Sequence, residues 1–230
     1  MRLSRLVPVL LLPLVSLALG AVFMYVPTEK QMGIVQRIFY FHVPSAISAY
    51  LAFFLVFVAS IQYLRTRAPK WDWLALSAAE LGMTFSLVVL ITGPLWAKPI
   101  WGVYWRWEPR LTSMLIMSTT YAAYLMVRSY GARSEQTRRF AAVLGICGFA
   151  NVPLVHYSVR LWTPEHQLHP TENTLAPQME YTLYLCFAAI FLLFAYLLKR
   201  RFELERLGHA IAQVGQNIAA GSAMEGRQRG

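Results

Sequence analysis

An all-α, polytopic membrane protein, folded as a six-transmembrane-helix bundle with both termini cytoplasmic, is the fold class this sequence predicts, on three observations. Hydrophobic residues make up 57% of the chain and charged residues only 14%. Several apolar runs approach the roughly 20 residues that a helix needs to cross about 30 Å of hydrocarbon. The basic residues, finally, gather in alternate loops. At 230 residues the chain accommodates one bundle with short connections and leaves no room for a separate soluble domain.

Hydropathy places the spans near 8–27, 43–64, 73–95, 111–127, 140–159 and 180–198. The N-terminus (Arg2, Arg5), the second loop (Arg65, Arg67, Lys70), the fourth (Arg128, Arg133, Arg138, Arg139) and the tail (Lys199, Arg200, Arg201, Arg206, Arg227, Arg229) hold 15 of the 21 Lys and Arg residues. The first loop (Lys30, Arg37), the third (Lys98, Arg106, Arg110) and the fifth (Arg160) hold the other 6. Because positive charge is retained inside, this asymmetry puts both termini in the cytoplasm and the odd-numbered loops outside. The net charge of +10 therefore reports topology, and nucleic acid is excluded as a partner because the basic residues form no soluble patch.

Span one begins like a signal peptide, with Arg2 and Arg5 before an apolar core and the small residues Ala18, Gly20 and Ala21. The apolar run continues through Val22, Phe23, Met24 and Tyr25, longer than a signal core requires, and reads as an uncleaved anchor. Before span two, in YFHVPSA, His42 precedes Pro44, which the first turn of a helix tolerates because its missing N–H would have been unpaired. Span three carries Glu80, a carboxyl that hydrocarbon tolerates only if it faces protein, is neutralised, or lines a polar path; a helix contact with Ser77 or Thr84 is the reading preferred to a proton or ligand route.

Between spans three and four lies an external loop, 96–112, reading WAKPIWGVYWRWEPRLT, with four of the seven tryptophans. Indole rings sit comfortably at the headgroup level, and an anchoring belt is the plainer account of Trp96. Arg106, Arg110 and Lys98 have the lipid phosphate as an ordinary partner. Span five ends in NVPLVHYS with His156, and loop five, TPEHQLHP, holds His166 and His169 between Pro164 and Pro170. Cys147 and Cys186 fall inside spans and form no paired redox motif. Residues 1–198 thus form the membrane domain; 199–230 form a cytoplasmic tail, containing His209, that is helical at first and then disordered.

Up to four imidazoles share the outer face with the tryptophan loop. Haem is a flat apolar macrocycle with two propionates and an iron that accepts imidazole on one or both faces. A site for it needs aromatic surface, histidine, and Arg or Lys for the carboxylates. All three are present, although a lone interfacial histidine is more often structural than a ligand.

The run TGPLWAKPIWGVYWRWEPRLTS resembles the tryptophan-rich signature of haem-handling membrane proteins, and in detail that of the haem exporter protein C family of the cytochrome c maturation system. The similarity continues in FYFHVPSA, in NVPLVHYSV and in the spacing from Trp162 to His166, and covers nearly the whole chain. The resemblance implies a non-enzymatic haem-binding and haem-transfer protein of the bacterial inner membrane, with b-type, non-covalently bound haem on the periplasmic side. His42 and His166 correspond to the family's axial iron ligands. Trp96, Trp101, Trp105, Trp107, Glu108 and Arg110 correspond to the aromatic platform and its polar edge, with Arg110 meeting a propionate. The implied partners are a periplasmic haem chaperone, a small single-span helper subunit and ATP-binding transporter subunits, besides membrane lipid. Glu108 stands where the family usually has Asp, one methylene shorter, and His169 is a second candidate beside His166. The alternatives are a cytochrome c synthase subunit of the related family, a haem channel, and a non-haem structural subunit of a membrane transporter.

Overall fold

The computed structural model describes residues 2–131, 134–161 and 175–228, and every regular element among them is helical. Helix α1 (Arg2–Gly20) passes into a π-helical turn (Ala21–Tyr25), and a 3-10 turn (Ile34–Ile38) leads into α2 (Phe39–Thr66). Then follow α3 (Pro69–Trp101), α4 (Pro109–Tyr130), α5 (Glu135–Phe149), α6 (Asn151–Leu161) and α7 (Pro177–Gln228). Five stretches are long and apolar enough to cross a membrane: Val7–Tyr25, Ile34–Thr66, Pro69–Trp101, Glu135–Val155 and Pro177–Ala220.

The remaining expected span, α4, has the length, since 22 residues rise about 33 Å. It is less apolar because Ser118, Thr119 and Thr120 interrupt its middle. Their hydroxyls donate to the carbonyls of Met114, Leu115 and Ile116 one turn back, at 2.9, 2.8 and 2.8 Å, so they are not left unsatisfied.

The centre of the bundle is the antiparallel pair α2 and α3. Arg67 turns the chain in the left-handed region (φ 56°), its N–H donating to the Tyr63 carbonyl at 2.8 Å, and Pro69 starts α3 with a φ already suited to a helix. The facing surfaces are small: Ser45, Ser48, Ala49, Ala52, Ala59 and Ser60 on α2, and Ala75, Ala78, Ala79 and Ser86 on α3, are all buried. Lipid offers no hydrophobic drive for helix association, so close backbone approach through small residues supplies it by van der Waals contact. Large rings then fill the space behind this seam: Phe53 stacks on Tyr121 of α4 at 3.8 Å, and α5 closes in through Gly145, where a Cβ would stand 2.9 Å from Val56.

Charge concentrates at one end of the bundle. Arg128 of α4 reaches Asp72 of α3 at 2.9 Å, Arg67 approaches Glu135 of α5 at 3.8 Å, and Trp73 holds the rings of Phe202 and His209 of α7 at 6.0 and 5.3 Å. The second loop, the region around the fourth and the start of the tail are therefore neighbours, in keeping with their common basic character.

The structure revises four expectations. Glu80 does pair with a helix, but with Arg201 of α7, which donates both Nε and a terminal nitrogen (2.7 Å) to its carboxylate; Ser77 bonds the Trp73 carbonyl and Thr84 the Glu80 backbone carbonyl. The helix carrying His42 begins at Phe39, so His42 lies in its first turns and Pro44 inside it. The segment 96–112 is helical as far as Trp101, in spite of Pro94 and Pro99, with Gly102 as the left-handed cap, and again from Pro109, because proline is tolerated at the first helical position. The tail stays helical to Gln228, its Ala and Gln residues favouring the extension more than its few glycines oppose it.

A Cβ at Gly82 would stand 2.5 Å from a ring carbon of Phe53 and 3.1 Å from Ala52 Cβ. Gly82→Leu is expected to force α2 and α3 apart at a cost of about 1–3 kcal/mol. Thermal unfolding in detergent should show the drop, while Gly208→Leu, where a Cβ meets nothing within 4 Å, should leave the transition in place.

Candidate functional site

Because α2 and α3 diverge in step from one tight turn, their packing register continues to their far ends. Phe53 meets Gly82; about three turns further out on each helix, His42 meets Gly93. A Cβ at Gly93 would lie 3.5 Å from the imidazole, so the glycine leaves just enough room for the ring beside the α3 backbone.

The same turn of α3 orients that ring. His42 Nδ1 is 2.9 Å from Thr92 Oγ1, and the Thr92 hydroxyl is 2.7 Å from the Val88 carbonyl. A hydroxyl has one proton, which the carbonyl takes, so Thr92 accepts and His42 Nδ1 donates. The basic lone pair of the imidazole is then on Nε2. Trp96, the next turn along, sets its indole edge-on to His42 with centroids 5.7 Å apart and planes at 69°.

His42, Gly93 and Trp96 stand in the wall of a cavity of about 1010 Å³, at the top of the ~300–1,000 Å³ range of small-molecule sites. Apolar residues dominate the wall, including Phe39, Val43, Val89, Met114, Met179 and Leu183; Trp101, Tyr104, Trp105 and Arg110 join from the α3–α4 connection. The turn 27–32 closes one side. Glu29 shapes it, its carboxylate accepting from the N–H groups of Gln31 (2.7 Å) and Met32, while Gly33 takes a φ of 64° that a side chain would resist.

The end of α3 is fixed by reciprocal bonds. Gly102, at φ 75°, donates its N–H to the Lys98 carbonyl at 3.0 Å, and Lys98 Nζ donates to the Gly102 carbonyl at 2.8 Å while lying 5.1 Å from the Tyr104 ring centroid. Lys98 therefore links the helix end to the connection that follows. The indole nitrogens of Trp96 and Trp105 are buried with no hydrogen-bond partner among the described residues. Two N–H donors in a mostly apolar site that also holds His42, Arg110, Lys30, Glu29 and aromatic surface suit a flat apolar ligand with acceptor groups on its edge.

The model of the Heme exporter protein C family matches residues 2–215. The chain belongs to that family. Relatives called Heme exporter protein C include one from Paracoccus denitrificans, 33% identical over 84% of this chain and 83% of its own length. Others come from Bradyrhizobium diazoefficiens, 36% identical over 61% of this chain and 54% of its own, and from Escherichia coli K12, 32% identical over 63% and 59%. The matches thus span a little over half the length of two of these relatives. Family membership and the apolar helices together make this a multi-pass membrane protein.

Of the residues expected at the site, the fold brings His42, Trp96, Trp101, Trp105 and Arg110 to one cavity. Trp107 is 77% exposed, outside the wall, and sets its ring edge-on to Trp105, centroids 5.8 Å apart. Glu108 is buried and does not line the cavity. It is the N-cap of α4, its backbone carbonyl accepting from the Thr112 N–H at 3.0 Å, and its side chain makes no capping bond. Glu is not among the side chains that favour this position. His166 and His169, together with Trp162, lie outside the described residues.

Thr92 and Gly93 escaped the sequence reading although TGP opens the tryptophan-rich run. A threonine in an apolar span ordinarily bonds its own backbone, and only the opposing helix reveals the imidazole. Titration with hemin should quench tryptophan fluorescence less in Trp101→Phe and Trp105→Phe than in the unaltered protein. Trp107→Phe should quench almost normally; equal losses at all three would place the ligand outside the cavity.

Proposed function

We propose that this protein binds haem in the cavity beside His42, on the periplasmic face of the bacterial inner membrane, and delivers it to a periplasmic haem chaperone for c-type cytochrome biogenesis. One observation carries the reading: a histidine held by Thr92 with its basic nitrogen on Nε2, over an apolar cavity edged with tryptophan. The imidazole that the described residues place in these apolar surroundings suits a metal that arrives with its own equatorial ligands, as porphyrin iron does. Membership of the family, whose relatives are called exporters of haem, supports the same substrate.

On this reading α4 is the sixth span, its hydroxyls satisfied internally and its buried Met114, Met117 and Tyr121 turned to the bundle. Both termini lie in the cytoplasm with the charged end of the bundle, and residues 199–230 form the cytoplasmic tail. The cavity, at the opposite end, opens to the periplasm. His42 is one axial ligand and His166 the other, from the loop between α6 and α7. Trp96, Trp101 and Trp105 carry the ring of a b-type, non-covalently bound haem, Trp107 and Glu108 belong to the rim, and Arg110 pairs with a propionate. The protein forms no bond in haem itself; it presents the group and gives it up by loosening one iron ligand. A small single-span helper subunit and ATP-binding transporter subunits act with it in the same system.

Detergent-purified protein is expected to show the Soret and visible bands of bis-histidine haem, oxidised and reduced. His42→Ala and His166→Ala should each shift those bands and alter transfer to an apo chaperone more than they alter membrane insertion. An unchanged spectrum in the double variant would remove the ligand assignment, and colourless protein that takes up no added haem would remove the function. Arg110→Leu should weaken haem binding about 10-fold or more, the scale of a charge-assisted pair of about 1.5–3 kcal/mol; unchanged occupancy and transfer would end that role.

A further inference from the structure

We infer that Thr92 is a positioning residue for the iron ligand: its hydroxyl fixes the His42 tautomer and ring orientation from the opposing helix, and so sets how tightly haem is held. The inference rests on the reading of His42 as a ligand. Thr66, Thr84, Thr92, Thr119, Thr120 and Thr182 all donate a hydroxyl proton to the carbonyl four residues back. Of these, Thr92 is the one that also takes a histidine nitrogen, at 2.9 Å. Its proton is committed to Val88, so its oxygen can only accept.

This arrangement leaves the ring few alternatives. Were the proton on Nε2, Nδ1 would bring a lone pair against the Thr92 oxygen, and the contact would turn repulsive unless Thr92 broke its bond to Val88. The Nε2–H tautomer has no lone pair on Nε2 to give a metal. Gly93 and Trp96 restrict the ring from the same stretch of helix, the first by leaving space at 3.5 Å and the second by an edge-on contact. A metal-bound histidine whose second nitrogen donates to an acceptor gains both basicity and orientation, and losing such an acceptor typically weakens metal affinity about 10–100-fold. The location has a further consequence. Thr92, Gly93 and Trp96 belong to the helix that ends in Trp101, so the ligand's support and part of the aromatic surface lie on one helix.

The test compares haem affinity and spectra of the full-length protein in detergent. Thr92→Val, which preserves shape and removes the acceptor, is expected to bind hemin about 10-fold more weakly with bands shifted towards weaker axial ligation, and Thr92→Ser to restore both. Affinity and bands of Thr92→Val equal to those of the unaltered protein would overturn the inference. A second arm supplies the ligand from solution. In His42→Gly, imidazole, whose spare N–H can donate to Thr92, should restore the six-coordinate spectrum at lower concentration than 1-methylimidazole, which has none. That preference should shrink or vanish in His42→Gly with Thr92→Val. A preference that persists undiminished in the double variant overturns the role of Thr92 alone. Spectra of His42→Gly that match the unaltered protein without added base overturn the ligand assignment with it.

Discussion

The seam between α2 and α3 is the contact on which the other features of the structure depend. Alanine and serine along both helices, with Gly82 on α3, let the backbones approach, and the tight turn at Arg67 sets the register from one end. Once Phe53 lies against Gly82, the position of every pair further out follows from helix geometry, because both helices advance by the same rise per residue. His42 comes to rest on Thr92 and Gly93 for that reason. The site is thus an extension of a packing solution, and its precision is inherited from two long helices, which hold a ligand more firmly than a loop would.

The two ends of the bundle use this scaffold differently. At the charged end, Asp72 with Arg128 and Glu80 with Arg201 pair across helices, so that carboxylates within apolar segments are matched by guanidinium groups. The bidentate pairing of Arg201 with Glu80 ties α7 to α3, and Arg201 also meets Glu205 within α7 at 2.5 Å. Towards the other end an apolar wall dominates, and the polar groups among the described residues that line it include His42, Arg110, Glu29, Lys30, Gln36 and the indole N–H groups of Trp96 and Trp105. A bundle that is locked at one end and hollow at the other can admit a large flat ligand without loosening the contacts that hold it together.

Individual residues show how far the sequence could be read. The helical class, five of the expected spans and the special character of His42 and the tryptophan run were all accessible, because hydropathy, loop charge and residue chemistry are local properties. Helix ends were misplaced where local signals conflict: Trp96 to Trp101 look like a loop by composition, yet Gly102 and Lys98 close a helix there. Glu80 announced itself as a carboxyl in need of a partner, but Arg201 lies 121 positions away in the chain and nothing local pairs them. Trp107 matched its neighbours in type and still faces outward.

By itself, then, the sequence determined the solvent, the class of fold and the kind of chemistry available, since each depends on what the residues are. Tertiary structure decided which residues act together. Thr92 and Gly93 bear no mark that separates them from other small residues in an apolar helix. Their part in the site arises from the register of α2 on α3, and that register is set by side-chain volumes summed along the whole seam, a quantity no single motif contains.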